Sequence, residues 1–148
     1  MSDLVETLLN GVGLYCGSQV DPTGATGPSG SIARILVTAL PGGAGVSMDY
    51  EVLSAEGGLV HAERSTLART TRGVVLVTAH THADILTVLS ETEPGYFPAE
   101  NDDAPFPMAI RLEVPEPGQL IYSWSYGSPG EALVVRDVGT LRIVSPAS

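Results

Sequence analysis

The chain contains no lysine and a single cysteine, Cys16. Without lysine there is no Schiff-base amine and no phosphate-binding lysine of the P-loop kind. One cysteine excludes an intrachain disulfide and a cysteine-based zinc site within one chain, and Cys16 is expected to be a small buried hydrophobe on a strand. Bases are few. All seven are arginines, and against 17 acids they leave a formal net charge of −10. A surface of that sign repels a phosphate backbone, so no nucleic-acid partner is expected. Long apolar runs are also missing: nothing approaches the roughly 20 residues of a membrane span. The opening MSDLVETLLNGVG has neither a basic leader nor an apolar signal core, so the expectation is a soluble, cytoplasmic protein with no membrane partner. No nucleophile elbow, P-loop or zinc signature occurs, and GVGLYCG leads into a strand instead of a helix N-terminus. Nucleotide-dependent chemistry is therefore disfavoured, and no cofactor and no metal are expected.

What is present is a sequence of short β-branched runs punctuated by 17 glycines and 11 prolines. At 148 residues and 43% hydrophobic, it suffices for one core, so residues 1–148 are read as a single domain. Residues 2 to 9 read as a helix within a lead-in over 1–12. Ser2 or Asp3 can cap it, Leu4, Leu8 and Leu9 share a face, and Asn10-Gly11 stops it. Strands are predicted at 13 to 20, 31 to 39, 45 to 54, 58 to 68, 73 to 80, 84 to 91, 107 to 114, 119 to 126, 131 to 137 and 138 to 145. Connections this short favour consecutive antiparallel pairing. The predicted fold is all-β, a single closed up-and-down antiparallel barrel of about nine or ten strands with a short N-terminal helix.

Alternation assigns an inner face. It places Met48 and Tyr50 inward on one strand, Met108, Ile110 and Leu112 on another, and Tyr122, Trp124 and Tyr126 on a third. These suit a ligand-binding wall or ordinary core packing equally, since tyrosine and tryptophan carry polar tips on apolar bodies. Segment 92–106 shows no strand pattern yet holds Phe97, and is read as a lid over one barrel mouth. His61 and Glu63 lie two apart and so share a face. If it is internal, Glu63 is a desolvated carboxylate suited to general acid or base work; if external, the pair is solvated surface. His80-Thr81-His82, near Asp84, reads as a solvated turn. Arg136 either points into the mouth as a planar double donor or pairs outside with Asp137 or Glu131.

Three segments resemble the nitrobindin family, haem-binding barrels of the fatty-acid-binding-protein-like (calycin) type. LLNGVGLYCG (8 to 17) is similar to that family's opening LLGTWRGEG. GLVHAERSTLARTTRGVVLVTAHTHADI (58 to 85) resembles its G-x-P-L-H-x-E, L-x-R and A-H-P-x-G order, and QLIYSWSYG with GTLRI resembles its closing strands. The resemblance implies a barrel of about ten strands, haem, and NO or peroxynitrite chemistry. It also shows a departure: Arg136 stands where the family's haem-ligating histidine begins the last strand, and a guanidinium is no iron ligand.

The site residues expected from all this are His61, Glu63, Tyr50 and Arg136 for catalysis, and Met48, Met108, Ile110, Leu112, Tyr122, Trp124, Tyr126 and Phe97 for ligand binding. The expected partner is a hydrophobic small molecule, with a homodimer allowed. The leading expectation is a cofactor-free enzyme that folds a polyketide-like substrate toward cyclisation or isomerisation. The alternatives are a non-catalytic carrier of a small hydrophobic ligand and a haem or NO binder.

Overall fold

A computed structural model of the chain describes residues 3–23, 31–81, 86–99 and 106–147. Helix α1 (Leu4–Leu9) is short, and its ends are satisfied locally: the Asp3 carboxylate caps it by accepting from the Glu6 amide at 2.7 Å. Val5 and Leu8 are its buried face. The Arg69 guanidinium then clamps Asp3 with two 2.9 Å hydrogen bonds, tying the helix to the barrel.

Ten strands follow: β1 (Gly13–Val20), β2 (Ser31–Ala39), β3 (Gly45–Leu53), β4 (Leu59–Thr70), β5 (Gly73–His80), β6 (Thr87–Ser90), β7 (Tyr96–Ala99), β8 (Met108–Glu113), β9 (Gln119–Tyr126) and β10 (Val134–Pro146). Every pairing is antiparallel, in the order β6-β5-β4-β3-β2-β1-β10-β9-β8-β7. The meander with its first and last strands paired is the predicted barrel, nearly closed. Its two edges, β6 and β7, come together without a ladder between them among the described residues.

Three expectations need correction. Segment 92–106 is not wholly a loop: Tyr96–Ala99 forms β7 on β8, and Phe97 is fully buried, while 100–105 lie outside the described residues. Proline and a one-in-two apolar pattern only four residues long hid the strand. The segments 131 to 137 and 138 to 145 are one strand, β10, with a register shift between Val135 and Asp137 against β9. Arg136 is the extra residue of that bulge. Cys16 faces outward and is half-buried between Arg34 of β2 and Arg142 of β10.

The core runs the length of the barrel, with Ile35, Met48, Leu67, Leu76, Leu89, Phe97, Met108, Ile110, Leu112 and Leu120 essentially solvent-free. Helix α1 covers the end where β1 and β3 begin and β4 finishes. The opposite end, where β1, β3, β5 and β9 finish and β4 and β10 begin, holds the polar interior. No helix among the described residues is long and apolar enough to cross a membrane.

Candidate functional site

At that polar end lies a cavity of about 310 Å³, bounded by Gln19, Tyr50, Val60, His61, His80, Phe106, Trp124, Tyr126 and Asp137. This is at the lower end of the range for small-molecule sites. Its floor is a ladder of inward residues at one level of the sheet: Tyr50 of β3 pairs with Glu63 of β4, which pairs with His80 of β5. Alternation along β4 turns His61, Glu63, Ser65 and Leu67 inward, so the internal reading of the His61/Glu63 face holds.

Glu63 is sealed from solvent, yet both of its oxygens are engaged. Oε1 lies 2.7 Å from His61 Nε2, and Oε2 accepts from the Tyr122 hydroxyl at 2.5 Å. Burial pushes the Glu63 carboxyl above the ordinary range, against the pull of His61 and Tyr122. His61 stands in front of it at the cavity wall, its side chain 14% exposed, with Nδ1 3.2 Å from the Thr81 hydroxyl. An ionised Glu63 selects the Nε2–H tautomer of His61 and leaves the lone pair on Nδ1. A proton accepted there makes an imidazolium that Glu63 stabilises.

Burial, and then the Glu63 charge, hold Tyr122 well above the usual phenol range; burial likewise raises Tyr50 and Tyr126. None of the three is a phenolate base near neutrality. Their protons also have fixed destinations. Asp137 as a carboxylate can only accept, so the Gln19 amide turns its Nε2 toward Asp137 (3.2 Å) and its oxygen toward Tyr50, whose hydroxyl donates to it. The Tyr126 hydroxyl points to the other Asp137 oxygen at 3.4 Å. Gly139 makes room for this: a Cβ there would lie 3.0 Å from the Tyr50 hydroxyl.

The placements differ from expectation in four respects. Met48, Met108, Ile110, Leu112, Phe97 and Tyr122 belong to the packed core and do not line the cavity, because side chains fill the barrel interior at their level. Trp124 and Tyr126 do line it. Arg136 is not on the wall: the bulge turns its guanidinium over the Tyr126 ring, 5.9 Å from the centroid, and Asp137 takes the inward position. Tyr50 lines the cavity, but its proton goes to Gln19 and not to a ligand carbonyl. His80 is no solvated turn residue; it is buried, its ring 5.2 Å from Trp124, whereas His82 and Asp84 lie outside the described residues. Sequence reasoning missed Gln19, His80, Phe106 and Asp137. Asp137 could have been found from its alternation with Gly139 and Leu141, and Gln19 from its alternation with Tyr15 and Gly17.

Fold and site together define a nearly closed ten-stranded antiparallel barrel with an aromatic, partly polar cavity at one end. The crystal structure of Rv2717c from M. tuberculosis has a similar fold, with a TM-score of 0.69 over 97% of this chain and 98% of that one. Their sequences are 16% identical, so the likeness concerns the fold. No family model and no curated protein sequence matches the chain.

Proposed function

We propose that the barrel is a cofactor-independent enzyme that takes a small, largely apolar, polyketide-like molecule into its cavity and promotes cyclisation or isomerisation by moving a proton. The observation that carries this reading is the His61–Glu63–Tyr122 chain, a buried carboxylate held behind a cavity-lining imidazole. A carboxylate fixed by two hydrogen bonds sets the imidazole's tautomer and offsets the charge it gains, the arrangement general-base catalysis requires. Aromatic walls supply the rest: they exclude water and restrict a flexible substrate, which lowers the entropy lost on reaching the transition state.

Kinship with nitrobindin-like barrels would imply haem, and the residues fit it poorly. The last-strand position carries Arg136, whose guanidinium stays protonated and packs on Tyr126. No step is assigned to iron.

The test is incubation of the purified protein with a panel of apolar polyene ketones and polyketide-like compounds, including those made by its neighbouring genes. New cyclic or isomeric products, lost in His61→Gln, are expected. Tight binding with every compound recovered intact would replace this reading with that of a carrier, which the mutually engaged phenols and amide of the wall favour.

A further inference from the structure

Several polar hydrogens on the cavity wall already have a destination. The Tyr50 hydroxyl donates to Gln19, the Gln19 amide to Asp137, and the Tyr126 hydroxyl points to Asp137. Behind them the Tyr122 hydroxyl donates to Glu63. His61 and His80 also bound the space, and an imidazole can carry its proton on either nitrogen. Trp124 differs from all of these. Its indole lines the cavity and is 6% exposed, and its Nε1–H is sealed from solvent without a hydrogen-bond partner. The indole lowers the Tyr122 phenol against the effect of burial, yet no hydrogen bond joins the two. An indole N–H can only donate. Leaving such a donor unpaired in a dry wall costs stability, and an acceptor brought by a ligand removes that cost. The ring also stands nearly perpendicular to His61, with centroids 6.2 Å apart, so a fixed donor and the proposed base bound the same small space.

We infer that the ligand's polar end is a carbonyl oxygen, docked on the Trp124 Nε1–H, and that Trp124 is thereby a second catalytic residue beside His61. Nε1 is covered by its neighbours, so docking turns the indole edge toward the incoming oxygen. When His61 removes a proton from the carbon beside the carbonyl, the C–H electron pair forms the new C=C bond and the C=O pair moves onto oxygen. The N–H holds the charge that develops there and keeps its own proton. A hydrocarbon offers no acceptor and gains nothing from the indole. The catalytic part rests on the proposed reading of His61 as a base; the docking of the carbonyl does not.

Trp124 is the chain's one tryptophan, so its indole N–H gives a single resonance in a proton–nitrogen correlation spectrum. Acetophenone and α-methylstyrene share their arene and shape and differ in a carbonyl against a methylidene group. Acetophenone should move the wild-type resonance downfield, whereas α-methylstyrene at the same occupancy should not. Trp124→Phe should weaken acetophenone at least about fivefold more than α-methylstyrene, the scale of one hydrogen bond. Equal displacement of the resonance by the two probes in the wild-type protein overturns the inference, even if the variant fails to fold. Downfield displacement by acetophenone alone, with no exchange of its methyl protons in deuterated buffer, would retire catalysis by His61 and leave the carbonyl docking standing. Exchange undiminished in folded Trp124→Phe protein would keep His61 as the base and overturn the role of Trp124.

Discussion

Glu63 is the residue on which the energetics and the chemistry meet. Its carboxyl is raised by burial, so the folded state binds its proton more tightly than the unfolded chain does. Stability from this group is therefore full below the ordinary glutamate range and is lost as pH rises toward the raised folded value. Replacing the carboxyl with a neutral amide of the same shape removes that loss. Glu63→Gln should thus gain on the wild type as pH rises through this window, by up to ~1.4 kcal/mol per pH unit, in urea denaturation at a series of pH values. A difference independent of pH would contradict the buried, raised carboxyl. Asp3 behaves oppositely. The Glu6 amide and Arg69 hold its carboxyl below the usual range, so its contribution is present above the ordinary aspartate pKa and disappears as pH falls through the folded value. Asp3→Ala should cost about 1 kcal/mol, the usual worth of an N-cap, at neutral pH and less in acid.

Among the elements, β1 and β10 show how the barrel closes its sequence ends on one another. Gly17 of β1 faces Leu141 of β10, and a Cβ at Gly17 would stand 1.8 Å from the Thr140 carbonyl oxygen. Only glycine permits that approach, and Gly17→Ala should destabilise by about 2 kcal/mol in denaturant titration through forced separation of the two strands. Nine of the ten strands and the inward faces of β3, β8 and β9 were legible because their period of two is long enough to read. The strand β7 was not, since four residues containing a proline carry too little pattern. The bulge in β10 was also invisible. A one-residue slip changes which neighbour points inward, so Arg136 and Asp137 exchanged roles between sequence and structure.

For the whole molecule, alternation told inside from outside but not wall from core. Met108 and Trp124 are both inward, and only depth along the barrel separates the packed level from the cavity. The pairing of His61 with Glu63 was legible from their spacing. The engagement of Tyr122 was not, because it joins β9 to β4 across the interior, 59 residues apart in sequence. The same holds for Gln19 and Asp137, which meet only because β1 and β10 pair. The polar end is therefore a product of closure: strands distant in sequence each deliver one or two groups to it.

The central claim is that His61, backed by Glu63, moves protons within this cavity, and solvent-deuterium incorporation into enolisable aryl ketones small enough to enter it tests that claim most directly. Followed by NMR in deuterated buffer, exchange at the carbon beside the carbonyl should run about 10² or more faster with the wild-type protein than with folded His61→Gln or Glu63→Gln protein, the ordinary scale of a general base. Exchange no faster than in buffer alone, or equal rates in wild type and variants, would contradict it.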